Sequence, residues 1–199
     1  MRYTAVAGTM AAAALALTAC GTAEPEEGVP GGDAAPDSGE ALLAEHGLDG
    51  LDAVEIVDHL DLLPVAERPT DLVASVQADT LLLSDTDDGQ EVGLDLPEEQ
   101  FYLSMAPYVD HTHECFNHSL TSCLGELRDE EIAVTITDDS DDSVLVEETG
   151  PTFDNGFAGY WLPSGIDATV TVEYEGLSGS TQVSTGADDP TCLTTLELA

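Results

Sequence analysis

The sequence predicts an α+β protein, with a small helical N-terminal portion followed by a larger, mostly antiparallel and sandwich-like β domain toward the C-terminus. Two patterns carry that expectation. Between residues 38 and 69 apolar residues recur at helical spacing. After Pro69 they alternate with polar ones in short runs that return about every eight to twelve residues, the spacing of antiparallel sandwiches.

Before the helical region, Met1-Arg2 precedes an alanine-rich apolar stretch that ends in Leu17-Thr18-Ala19-Cys20. This resembles a bacterial secretion signal closing on a lipobox. On that reading residues 1–19 are removed, and Cys20 becomes the lipid-carrying first residue of an extracytoplasmic protein anchored to the cell membrane. The stretch is shorter than the roughly 20 residues a bilayer-spanning helix needs, so the expected membrane contact is the lipid alone. Residues 20–39 carry Glu24, Glu26, Glu27, Asp33 and prolines at 25, 30 and 36 with no apolar periodicity, and read as a disordered acidic tether.

Residues 40–90 read as a small helical and mixed domain. Glu40 to His46 are good helix formers stopped by Gly47. Asp52-Ala53-Val54-Glu55 has the form of a capping box, followed by Ile56, Val57, Leu60 and Leu63 at helical spacing until Pro64. His46 and His59 are isolated on these helices and read as packing or surface residues. Leu72, Ala74 and Val76 begin the alternation, and Asp85 to Gly89 punctuates it as a turn.

Residues 91–199 read as the β-rich, metal-binding domain. Strands are expected over 101–108, 132–137, 144–147, 157–162, 168–174, 182–185 and 191–198. Met105 shares strand parity with Phe101 and Leu103 and reads as core. The acidic run Asp138 to Asp142 lacks the spaced ligands of a calcium loop and reads as a solvated hairpin turn.

Composition narrows the partners. There are 41 acidic residues against three basic ones, for a formal charge of −38. Such a surface repels nucleic acid and anionic lipid. The acids are scattered along the chain, which suits solubility in a saline exterior better than one focused cation site.

The chemistry concentrates in His111-Thr-His-Glu-Cys-Phe-Asn-His-Ser-Leu-Thr-Ser-Cys123. Imidazole and thiolate are the side-chain donors for zinc and copper, and thiolate selects Cu(I). In a strand, His113 and Cys115 lie on one face about 6.6 Å apart and can chelate, whereas His111 and Cys115, about 13 Å apart, cannot share an ion unless the chain bends. In a helix, Cys115 and Cys123 would be separated by about 12 Å along the axis, beyond the roughly 7 Å limit for a disulfide. A loop or hairpin relaxes both limits. Cys192 shares parity with Thr194, Leu196 and Leu198 and is expected to face the apolar interior or its edge. Three mature cysteines outside the cytoplasm admit two readings: one disulfide plus a buried free thiol, or a trio of sulfur donors for Cu(I), with zinc less favoured.

The run, its continuation Leu-Gly-Glu126-Leu and the late Thr191-Cys192 together resemble the CueP family of extracytoplasmic copper-binding proteins, over roughly residue 40 to the C-terminus. The two cysteines with seven residues between them, the HxHxC lead-in and the lone late cysteine are the most specific features. The resemblance implies Cys115, Cys123 and Cys192 as copper-binding, redox-active thiols, with His111, His113 and His118 as further ligands. It also implies copper tolerance, reduction of Cu(II) to Cu(I), and transfer of copper to an extracytoplasmic recipient such as a superoxide dismutase. The lipobox, the tether and the acidic surface depart from the family pattern. The expected function is therefore a lipid-anchored copper-binding protein, no enzyme, in which any thiol-driven reduction is stoichiometric. The alternatives are a thiol-disulfide redox protein, weakened by the lack of C-x-x-C, and a β-sandwich lipoprotein whose cysteines only staple the fold.

Overall fold

The computed structural model describes residues 38–199; the expected signal peptide, Cys20 and the tether as far as residue 37 lie outside the described residues. Helix α1 spans Ser38–Glu45 and ends at Gly47, whose φ of +67° is the left-handed stop that glycine accommodates without strain. Helix α2 spans Ala53–Asp61 behind the expected capping box: Glu55 N donates to Asp52 Oδ1 at 2.9 Å, and Asp52 N donates to Glu55 Oε2 at 3.0 Å. Pro64 ends the helical run, leaving a single 3-10 turn at Val65–Glu67.

The strands that follow are β1 (Leu72–Val76), β2 (Thr80–Asp85), β3 (Glu91–Asp95), β4 (Gln100–Met105), β5 (His118–Ser119), β6 (Glu131–Asp138), β7 (Val144–Pro151), β8 (Ala158–Pro163), β9 (Asp167–Tyr174), β10 (Leu177–Ser184) and β11 (Cys192–Leu193). They form three sheets, in the orders β3-β2-β1-β5, β11-β4-β8 and β10-β9-β6-β7. Among the described residues all pairings are antiparallel except the short parallel match of β11 to β4 and an isolated parallel bridge between Tyr108 and Glu197. The α+β class, with two short helices ahead of a larger β portion, is as the sequence predicts. The turn at 85–89 is a hairpin whose Asp85 carboxylate accepts from the N–H groups of Asp87 and Asp88 at 2.7 and 3.1 Å. The acidic run at 138–142 is likewise the β6–β7 hairpin turn, closed by Asp138 N to Ser143 O at 2.9 Å.

Two hydrophobic cores divide the fold. One packs Leu42, Ile56, Val57 and Leu60 of the helices against Leu72, Ala74, Val76, Leu81 and Leu83 of the first sheet. The other is enclosed by the second and third sheets, from Phe101, Leu103 and Met105 to Ile132, Val134, Ile136, Val170 and Val172. Strand β4 is the wall between them: Phe101 to Met105 are buried in succession, with the odd residues in the larger core and Tyr102 in the helical one. Alternation describes a strand with one wet face, and β4 has none.

The C-terminal segment departs from expectation. Residues 191–198 do not form one strand, because pairing with β4 stops at Leu193. Parity therefore breaks: Leu193, Leu196 and Leu198 join the larger core, while Cys192 faces a third, small cluster with Ala106 and Phe157.

Candidate metal centre

The run from His111 to Cys123 is loop and turn apart from the two-residue strand β5 at His118–Ser119. Its entry is pinned by Glu126, whose carboxylate accepts from the backbone N–H of Val109, Asp110 and His111 at 2.9, 3.0 and 3.2 Å. Burial would raise this carboxyl's pKa, but those three donors outweigh it and hold the group below its ordinary value. Strand β5 then adds His118 and Ser119 to the edge of β1, with His118 opposite Val76. Thr191 ties this edge down, accepting from His118 N at 3.0 Å and donating its hydroxyl to Val76 O at 2.6 Å. After β5 the chain folds back in one turn closed by Cys123 N to Ser119 O at 3.1 Å.

That turn brings the sulfurs together. Cys123 Sγ lies 3.6 Å from Cys115 Sγ and accepts from Ser119 N at 3.4 Å. Cys115 is joined to Cys192 in a disulfide across a Cα separation of 5.7 Å, and half-buried Cys123 is free. Gly125 makes the approach possible: it stacks on Gly156, and a Cβ at Gly125 would fall on the Gly156 carbonyl. Gly125 N donates to Asn155 O at 2.7 Å, so the Cys123 segment and the loop before β8 meet backbone to backbone.

His118 is fully buried and held on both sides. Its Nε2 lies 3.1 Å from Asp61 Oδ1, while its Nδ1 is 3.9 Å from Cys192 Sγ. With the Nε2 hydrogen committed to the carboxylate, Nδ1 is the atom turned toward sulfur. Asp61, the last residue of α2, is itself 1% exposed, and accepts from the Tyr102 hydroxyl at 2.7 Å and from Asn155 Nδ2 at 2.8 Å. Tyr102 reaches it across Gly159, where any Cβ would collide with the phenol. Arg68, also buried, donates Nη1 to the Cys123 carbonyl at 2.8 Å and places Nη2 3.9 Å from Asp61 Oδ1.

These contacts set the charges. Burial opposes a charge on His118, but Asp61 and Cys123 outweigh it and raise its pKa to about 9. Burial likewise opposes ionisation of Cys123, yet His118, Ser119 N–H and Arg68 bring its pKa below the ordinary thiol value. Asp61, despite its burial, is held below the ordinary carboxylate range by His118, Tyr102 and Asn155. A raised histidine pKa contributes stability that is complete below 6.5 and is lost as pH rises through about 9. The gap corresponds to about 3 kcal/mol. The lowered Asp61 contributes above 3.8 and loses its part only as pH falls through its folded value. In thermal unfolding the His118 and Asp61 contributions together are therefore expected to be greatest between about pH 4 and 6.5, and the His118 part to decline toward pH 9. Cys123 opposes that decline, because its lowered pKa contributes stability that is lost as pH falls through its folded value. The alkaline decline should be absent from His118→Gln; the same slope in both proteins would remove His118 as its source.

Of the residues the sequence singles out, five converge. The ligand atoms of His113, Cys115 and Cys123 lie within 4.8 Å of one another, as do those of His118, Cys123 and Cys192. His111 is not in either group; it stands at the rim, 77% exposed, with Nδ1 3.5 Å from Glu126 Oε1. A cavity of ≈ 490 Å³ opens over the first group, lined by His111, His113, Cys115, Cys123 and Glu126 among others. The second group lies behind it, where Phe157 stacks on His118 at 4.6 Å and Ala106 completes an apolar wall. Asp61, Tyr102, Asn155, Arg68 and Phe157 escape the sequence reading. Only Asp61 leaves a signal there: it stands four residues after Val57, a charged residue on the buried stripe of an amphipathic helix.

Three sulfurs and two imidazoles, with His118 and Cys192 buried, make a setting for a soft metal ion. The sequence model of the family described as "Periplasmic copper-binding protein CueP" matches residues 55–197. A crystal structure described as S.CueP is similar over 83% of this chain and 100% of its own, at 40% identity and a TM-score of 0.77. No curated protein sequence matches the chain significantly.

Proposed function

Since the chain belongs to the CueP family of periplasmic copper-binding proteins, we propose that it holds copper as Cu(I) on Cys115, Cys123, Cys192 and His118. The observation that carries this reading is the convergence of three sulfurs and one oriented imidazole nitrogen in an apolar pocket. Thiolate and imidazole suit Cu(I) and also zinc, and the excess of sulfur favours Cu(I). Arg68, Ser119 N–H and His118 all favour the Cys123 thiolate, the form that binds metal.

The disulfide gives the site a redox chemistry. Two thiols that become Cys115–Cys192 release two protons and two electrons, enough to reduce two Cu(II) to two Cu(I). The step is stoichiometric, and an external thiol reductant must restore the pair before it repeats. Leu17-Thr18-Ala19-Cys20 supports attachment through a lipid on Cys20, and the open cavity supports copper exchange with an extracytoplasmic recipient.

Because the disulfide consumes two of the four donors, reduced protein is expected to compete with a chromophoric chelator for Cu(I) under anaerobic conditions. Disulfide-bonded protein is expected to lose nearly all of that competition. Equal binding by both forms would refute a site built on Cys115 and Cys192. Zinc competing for the reduced site as well as Cu(I) would instead make zinc the cargo.

A further inference from the structure

The donors fall into two sets that differ in access. His113 is exposed, and Cys115 and Cys123 line the cavity. His118 and Cys192 are 0% and 3% exposed and do not line it. Cys123 belongs to both sets, with its sulfur 3.6 Å from that of Cys115. Phe157 neighbours both histidines, with its ring centroid 4.6 Å from that of His118 and 6.2 Å from that of His113.

Resting on the reading that the reduced cluster binds Cu(I), we infer that His113, Cys115 and Cys123 form a separate outer copper site. Through it the ion passes to and from the buried site of His118, Cys123 and Cys192. An ion arriving from solvent meets the outer set first, because the cavity ends on those side chains. It then moves inward by exchanging ligands around a fixed Cys123. His113 gives way to His118 and Cys115 to Cys192, and the copper remains Cu(I) throughout. No bond to Cys123 breaks, so the ion is never free in the apolar pocket, and outward delivery follows the same path in reverse. The Cys115–Cys192 disulfide removes one donor from each set and closes both positions together.

The two sites separate by rate and by spectrum. The reduced full-length protein is loaded anaerobically from a Cu(I)–chelator complex in a stopped-flow instrument, and its equilibrium affinity is measured by competition. His113→Ala, at an exposed position, is expected to slow uptake by about tenfold and to weaken affinity less than His118→Ala does; His118→Ala is expected to show the opposite order. In Cys192→Ala, which cannot build the inner site, X-ray absorption is expected to show Cu(I) on two sulfurs and one imidazole. The imidazole should vanish when His113→Ala is added. An uptake rate indifferent to His113, or a Cys192→Ala spectrum indifferent to it, would overturn the outer site while leaving copper binding intact. Absence of Cu(I) binding by the reduced wild-type protein would overturn both readings.

Discussion

Cys123→Ser is expected to cost the reduced protein more Cu(I) affinity than any other single change at the centre. Loss of a group that supports a metal ligand typically costs about 10- to 100-fold, and this substitution removes a ligand belonging to both sets. The replacement hydroxyl is a poor donor for a soft ion and stays protonated where the thiol of Cys123 is driven toward thiolate. The Cys115–Cys192 pair survives the substitution, so the variant should still form its disulfide. Chelator competition of wild type, Cys123→Ser and His118→Ala checks the order. A Cys123→Ser protein that binds as well as His118→Ala would show that Cys123 is not the shared ligand.

Asp61→Leu is expected to have the largest effect on stability. It strips the acceptor from the Tyr102 hydroxyl, Asn155 amide and His118 Nε2 at once, in a site none of them can leave for water. Removing one partner of a buried ion pair costs about 3–5 kcal/mol. For a domain of this size that corresponds to a melting temperature lower by roughly 10 °C. Asp61→Asn keeps a carbonyl oxygen for the imidazole and should recover part of the loss, while the absent charge leaves His118 less basic. Copper affinity of the reduced Asn variant is expected to fall about 10-fold or more, because the carboxylate no longer aims Nδ1 at the sulfurs. An Asp61→Leu protein within about 0.5 kcal/mol of wild type, the usual range for surface changes, would show that the network is not what holds this part of the fold.

What was legible in the chain was local. The capping box at Asp52 and Glu55 is written in four adjacent residues, and the strand periods of β6 and β9 survive because each has one face in a core and one face polar. The histidine and cysteine run likewise announces soft-metal chemistry by composition. What escaped depends on distance along the chain. Cys115 and Cys192 are 77 residues apart and meet because β11 pairs with β4 for only two residues. No period predicts where that pairing stops. His118 looked equivalent to His111 and His113 in the run, yet its edge position beside Val76 buries it, while the other two remain in the solvated loop. Asp61 was hidden for a related reason. Its partners come from β4, β5 and the loop before β8, so its role exists only after those elements have packed on α2.

The attachment of Asp61 to helix α2 bears on engineering. A designer wishing to transplant the sulfur cluster into another protein would take the loop from residue 111 to 126 together with the segment around Cys192. Such a graft leaves behind the carboxylate in contact with the His118 ring, along with the tyrosine and asparagine that hold that carboxylate in place. The transplanted imidazole would then choose its own tautomer and rotamer, and the soft-metal trap would become a loose set of thiols open to oxidation. The smallest transferable unit is therefore helix α2, the wall strand β4, the loop before β8 and both cysteine segments together.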